Sequence, residues 1–282
     1  MSDSTLLSTR RVLPGFTLSL GTTLLYAALI LLLPLTSLIG QLSQLSWAEY
    51  WGVITDSRNI ASYKVTVLTA LAASVINVLT GLLLAWVLVR YRFPGRTLLD
   101  ALIDLPFALP TAVAGITLAT LYAPNGALGA WLAKVGITVS YSPLGIIMAM
   151  VFTSLPFVVR SVQPILEELP ATLEEAAVSL GATERQTFWR ALFPMVWPAL
   201  LTGGALSLAR SLGEYGAVIF IAGNTPYKTE VMSLAIVTQL EEYSYANAAA
   251  LASLVLASSL LLLLFINAWQ ARFFRRLHGG ET

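Results

Sequence analysis

The chain has no cysteine, one histidine and few charges. Without cysteine, disulfide frameworks and thiolate metal sites are excluded. The single histidine, His278, lies in the polar tail, so no metal centre is expected around it. Charged residues make up 11% of the 282 positions, where a soluble domain carries about 25%. A net charge of +1 lacks the basic excess that nucleic-acid binding needs. No glycine is followed by lysine, so the phosphate-cradling G-x-x-x-x-G-K-[ST] loop is missing. No Ser/His/Asp constellation and no carboxylate cluster at metal-ligand spacing occurs either. No catalytic residue and no cofactor of the chain's own is expected.

What remains is apolar surface. Hydrophobic residues are 57% of the chain and the mean hydropathy is +0.77. A hydrocarbon core of about 30 Å takes about 20 apolar residues per helix. That ruler finds six spans, at roughly 16–40, 63–89, 99–123, 143–162, 196–222 and 247–270. The first outlasts the apolar core of a signal peptide, and no A-x-A cleavage site follows it. It is read as a retained helix. With the N-terminus inside, one side holds Arg10, Arg11, Arg90, Arg92, Arg96, Arg160, Arg185, Arg190, Arg272, Arg275 and Arg276. The other holds Arg58, Lys64, Lys134 and Lys228. The positive-inside rule then places both termini and segment 163–195 in the cytoplasm. The short 125–136 stretch reads as an interfacial helix anchored by Trp131 or as a docking surface.

Segment 163–195 is the anomaly, a charged stretch between two apolar blocks. Thr172-x-x-Glu175 and Thr183-x-x-Gln186 both read as capping boxes, predicting two short helices. Gly181 stands where the first should stop, and Pro170 and Pro194 bracket the unit. Leu173, Ala176, Ala177 and Leu180 are spaced to share one small, apolar face. Connections between packed helices usually run about 2–8 residues, so a loop this long is read as a docking element.

Glu175-Ala176-Ala177, three residues, Gly181, and Pro194 further on resemble the EAA loop of ABC importer permeases. Ala191 and Phe193 depart from the isoleucine and leucine of that family's I-x-L-P ending. The resemblance implies that the loop, with Glu174, Glu175, Ala176, Ala177, Gly181 and Pro194, forms a coupling helix seated in an ATP-hydrolysing subunit. "RRVLPGFTLSLGTTLL", "YRFPGRTLLDALIDLPFALPTAVAGITLA" and "ARSLGEYGAVIFIAGNTPYKTEV" are similar to the T-type permease of bacterial sulfate/thiosulfate importers. Molybdate permeases share the pattern around "LPFALPT" and "LGEYGA".

This resemblance implies an all-α polytopic membrane protein, a type I ABC importer transmembrane domain with six transmembrane helices. It implies a 62–265 core of five helices, a cytoplasmic tail at 1–15, an added helix at 16–40 and a second cytoplasmic tail at 271–282. The implied partners are a homologous W-type permease, two copies of a cytoplasmic ATPase carrying ATP and magnesium, and a periplasmic sulfate/thiosulfate-binding protein. The implied location is the bacterial inner membrane.

Two features lie within the spans. Arg210 and Glu214 are four residues apart in span 5, on one helix face. They read as a structural ion pair or as a charged part of an anion pathway, since an unpaired charge in a membrane is costly. Pro106 and Pro110 are expected to break span 3, as an ordinary kink or as the broken helix of a transport site. Asp100 and Asp104 read as solvated or paired carboxylates near Arg96. A secondary carrier coupled through Asp100, Asp104, Arg210 and Glu214 is the alternative of a different class. It leaves the EAA-like loop without a role.

Overall fold

The computed structural model of the protein describes residues 16–278, with the backbone alone for Thr17 and residues 269–278. The 1–15 tail with Arg10 and Arg11, residues 279–282 and the side chains of Arg272, Arg275, Arg276 and His278 lie outside the described residues.

The chain begins with α1 (Phe16–Leu42), followed by the short α2 (Trp47–Thr55) and the long α3 (Ser57–Arg90). A broken segment follows, α4 (Arg96–Ala108) and α5 (Thr111–Tyr122), then the short α6 (Gly129–Lys134) and the long α7 (Pro143–Glu168). Next come α8 (Ala171–Ser179), α9 (Glu184–Thr187), a π-helical turn (Phe188–Leu192) and α10 (Phe193–Leu212). The chain finishes with α11 (Val218–Ile221), α12 (Met232–Glu241) and α13 (Tyr245–His278). No strand occurs among the described residues.

Five stretches are long and apolar enough to cross a membrane alone: Leu18–Leu42, Ser57–Arg90, Pro143–Glu168, Glu184–Leu212 and Tyr245–Ala268. The sixth span is the pair α4 and α5, bent by 113°. Its path is fixed by its two neighbours. Asp100 and Asp104 of α4 meet Arg160 near one end of α7. Beyond α5, Ser140 at the opposite end of α7 donates to Ala119 of α5. The pair therefore carries the chain from one end of α7 to the other.

The centre is the trio α3, α7 and α10. The buried face of α3 is Ser62, Thr66, Ala70, Ala73, Asn77, Gly81 and Ala85, small residues at helical spacing. Small faces let helices approach closely, which replaces hydrophobic drive inside lipid. At Gly203 of α10 an added Cβ would sit 2.8 Å from the Cα of Val158. Only glycine allows that crossing.

Two apolar clusters fill the bundle. One joins Ala70, Ile146, Met150, Leu208 and Val218; the other joins Ala85, Ile103, Val158, Val162 and Leu200. Between them lies a buried polar layer. Asn77 Nδ2 donates to Ser154 Oγ (2.8 Å) and Ser207 Oγ (3.1 Å), and Ser154 and Ser211 hydroxyls lie 3.1 Å apart. In a medium without water such a network fixes one register among the three helices.

Several boundaries differ from the sequence reading. The break of span 3 is at Leu109–Pro110, with Leu109 extended (φ −86°, ψ 136°) as the residue before a proline prefers. Pro106 stays inside α4 without breaking it. Span 5, expected at 196–222, ends at Leu212, and its helical run reaches back to Glu184. Pro194 accordingly lies in the first turn of α10 and does not close the loop. The helix of span 4 continues to Glu168, six residues into the expected 163–195 loop. The capping box at Thr172 and Glu175 does not form, because α8 starts at Ala171 behind Pro170 and Thr172 is already inside it. The second box, Thr183 with Gln186, does form. So does one at Ser46 and Glu49 that opens α2, where hydrogen bonds from Ser46 hold the Glu49 carboxyl below its usual range.

Candidate functional site

The loop after α7 is built as two helices around one left-handed residue. Gly181 takes φ +80°, with its own N–H on Val178 O and the next N–H on Ala177 O. A side chain there would cost about 1–2 kcal/mol. The turn lets α9 fold back and run through the π turn into α10.

The structure divides the work of two adjacent acids. Glu174 turns inward and meets Arg90 at the end of α3, Oε1 to Nη2 2.5 Å. The Arg90 guanidinium lies 5.2 Å from the Trp86 ring centre, and Trp86 meets the edge of Phe188 in the π turn. Phe188, Trp189, Phe193 and Trp197 continue as an aromatic chain along α10. Glu175 faces out instead, beside exposed Ala176, Val178 and Leu180, the last 89% accessible. Of the four residues expected on one face, Leu173 and Ala177 are half-buried while Ala176 and Leu180 are exposed. The apolar set is thus split between anchoring the helix and presenting a surface. Trp86 and the pairing of Arg90 with Glu174 escaped the sequence reading, which had Arg90 only as a basic residue of that side, although the i, i+4 spacing of Trp86 and Arg90 at the end of a span was a visible signal.

The second site lies at the other end of α10. Arg210 Nη1 is 2.7 Å from Glu214 Oε2, with side-chain exposures of 34% and 1%. Glu214 is not on the helix face expected for it, because α10 has ended at Leu212. Its Oε1 accepts from the N–H of Ala217 (3.0 Å), and its carbonyl accepts from Ser233 Oγ (2.8 Å). Gly216, two residues on, lies against Thr111 at the start of α5. The interruptions of spans 3 and 5 therefore meet, bringing Pro110 beside the Glu214 turn while Pro106 stays apart in α4.

Two further ion clusters were not expected as such. Arg160 of α7 donates to Asp104 (2.8 and 2.6 Å), to Asp100 (2.7 Å) and to Gln163 (2.6 Å). Asp100 and Asp104 are paired as expected, but with Arg160 and not with Arg96. Arg58 makes a two-pronged contact with Glu230 (2.9 and 2.6 Å), which also accepts from Ser62 Oγ. Among the described residues no group of three His, Cys, Asp or Glu side chains comes together to hold a metal.

A bundle with one broken span, closely packed small faces and a protruding two-helix loop is the transmembrane domain of a type I ABC importer. A chain of a bacterial ABC transporter involved in the import of the acidic polysaccharide alginate shares the fold, with TM-score 0.77 and 19% identity over 91% of this chain and 95% of that one. The MetNI methionine ABC transporter in an inward-facing form gives a TM-score of 0.56 at 18% identity, covering 82% and 99%. The chain belongs to the binding-protein-dependent transport system inner membrane component family, whose pattern it matches over residues 77–279. It is a multi-pass inner-membrane permease subunit. The sulfate transport system permease protein CysT of Escherichia coli (strain K12) is 63% identical over 272 residues, 96% of this chain and 98% of that protein. The CysT of Synechocystis sp. (strain ATCC 27184 / PCC 6803 / Kazusa) is 49% identical over 88% and 87%.

Proposed function

We propose that this chain is the T-type permease half of an ATP-driven importer that moves sulfate, and thiosulfate, from periplasm to cytoplasm. The observation that carries the substrate is the 63% identity to a sulfate transport system permease over 96% of the chain. In this reading a homologous W-type permease completes the pathway, and two copies of an ATPase, with ATP and magnesium, supply the work. A periplasmic binding protein delivers the anion. Both termini and the Ala171–Thr187 loop are cytoplasmic, which agrees with Arg90, Arg92, Arg96, Arg160, Arg185 and Arg190 gathering at that end.

The geometry supports a route for the mechanical step. The exposed edge of α8, with Glu175, Val178 and Leu180, seats in the ATPase. A displacement of α8 reaches α3 through Glu174 and Arg90, and reaches α10 through the π turn. At its far end α10 carries Arg210 and the Gly213–Gly216 interruption that abuts span 3. One arginine cannot surround a tetrahedral dianion, which needs many convergent donors. Selection therefore rests with the delivery protein, and the permease binds weakly.

The test is reconstitution of the four-part complex with sulfate-loaded and with molybdate-loaded delivery proteins. Stimulated ATP hydrolysis and labelled-sulfate uptake are expected with the first. Stimulation by the molybdate protein alone overturns the substrate and leaves the importer class standing.

A further inference from the structure

At the basic end of the bundle, a groove of about 500 Å³ opens between the last turns of α3 and the π turn. Its floor is Leu79, Leu83 and Trp86 of α3, its far wall is Trp189, and Tyr91 and Arg185 stand at its mouth. Leu79 and Leu83 are 66% and 62% exposed, and they continue an outward stripe that runs back through Val75 to Leu68. From Leu68 to Leu83 this stripe is about 22 Å long at 1.5 Å per residue, enough to lie along an acyl chain.

The mouth differs from the floor. Tyr91 and Trp189 are exposed aromatics where α3 leaves its apolar stretch, the level at which amphipathic rings mark a membrane–water interface. Arg185 lines the opening, and exposed Arg92 and Arg190 follow Tyr91 and Trp189 in the chain. Glu184 is the one acid lining the groove. No carboxylate among the described residues is within ion-pair distance of Arg185. An apolar trough that ends in aromatics and the Arg185 guanidinium, with exposed Arg92 and Arg190 adjoining its aromatic residues in the chain, complements one kind of molecule. It fits a chain of hydrocarbon ending in a phosphodiester anion.

We propose that this groove is a binding site for an anionic phospholipid of the adjoining leaflet. The acyl chain lies on the Leu68–Leu83 stripe and the phosphate meets Arg185. Because Phe188 and Trp189 of the π turn form one wall, an occupied groove braces the segment joining α8 to α10. That consequence rests on the coupling role proposed above; the binding site itself does not.

The test uses the complete complex in nanodiscs, with photoactivatable phosphatidylglycerol or phosphatidylcholine as the probe. Phosphatidylglycerol is expected to label the peptides around Tyr91 and Trp189 at least several-fold more than phosphatidylcholine. Arg185→Gln is expected to lower that labelling about five-fold, the worth of one basic residue at an anionic surface. Leu83→Trp, which fills the trough, is expected to reduce labelling by both lipids. Equal labelling by the two lipids, or labelling indifferent to Arg185→Gln, overturns the proposal. A photoreactive residue at position 83 that captures the other permease in place of lipid overturns it too, by making the groove a protein interface. None of these readouts needs transport, so failure of the sulfate assignment leaves them unchanged.

Discussion

Replacing Arg210 by alanine should be among the most damaging single changes in the bundle, and the reason is its partner. Glu214 is 1% exposed, and its carboxylate has two stabilising contacts, the Arg210 guanidinium on Oε2 and the Ala217 N–H on Oε1. Removing the guanidinium leaves a buried carboxylate with one backbone donor, a situation that costs about 3–5 kcal/mol. By the scaling of domains this size, that lowers the unfolding midpoint by on the order of 10 °C. Arg210→Gln with Glu214→Gln removes both charges, and the new amide oxygen still accepts from Ala217. This double variant should return to within about 1 kcal/mol of the parent, since no charge is left unpaired. The measurement is thermal loss of the monodisperse, detergent-solubilised protein, followed by fluorescence. An Arg210→Ala protein as stable as the parent would refute the reasoning, because Glu214 would then have another source of compensation. Transport by the stable double variant separates the two roles of the pair. Uptake that returns with stability makes it structural, and uptake that stays lost places Arg210 on the anion's path.

Two other outcomes follow from the loop. The Arg90–Glu174 pair is partly exposed (24% and 37%), so its charge term is worth at most about 1 kcal/mol; Glu174→Arg should therefore insert normally yet hydrolyse ATP with reduced transport per turnover. Adding Arg90→Glu to it should restore the ratio, and an unimproved double variant counts against the link. Gly181→Val forces a branched residue to φ +80°, a strain of about 1–2 kcal/mol, and should weaken ATPase co-purification about ten-fold while leaving the permease in the membrane. Undiminished co-purification would show that α8 does not depend on that turn.

The spans were legible because lipid imposes one requirement on about 20 consecutive residues, and composition alone records it. Their ends were less so. The apolar run from Phe193 to Ala222 passes through Gly213, Glu214, Tyr215 and Gly216 without losing its hydrophobic character, so span 5 read as one helix. What stops it is a tertiary arrangement, with Glu214 buried beneath Arg210 and holding the Ala217 N–H. The inward role of Glu174, next to the EAA residue Glu175, was not legible, because its partner Arg90 is delivered by α3 from far away in the chain. Arg160 was read only as one of the basic residues on the cytoplasmic side, because its partners Asp100 and Asp104 are about 60 positions away.

These non-local pairs share a position in the fold. A helix broken inside a membrane frees backbone groups that protein or water must satisfy. Span 3 breaks at Pro110, the helix of span 5 ends at Leu212, and the two points meet where Thr111 lies against Gly216. An ion pair lies close to each of these points, Arg160 with Asp104 of α4 and Arg210 of α10 with Glu214 just beyond that helix. The Arg160 cluster fixes the first arm of span 3 to α7, and the Glu214 turn fixes the end of span 5 through Ala217 and Ser233. The trio α3, α7 and α10 is tied together by its Asn77 polar layer. Each place where helical backbone bonding is lost inside the bundle is thereby held by an ion pair, which supplies the partners a membrane interior does not.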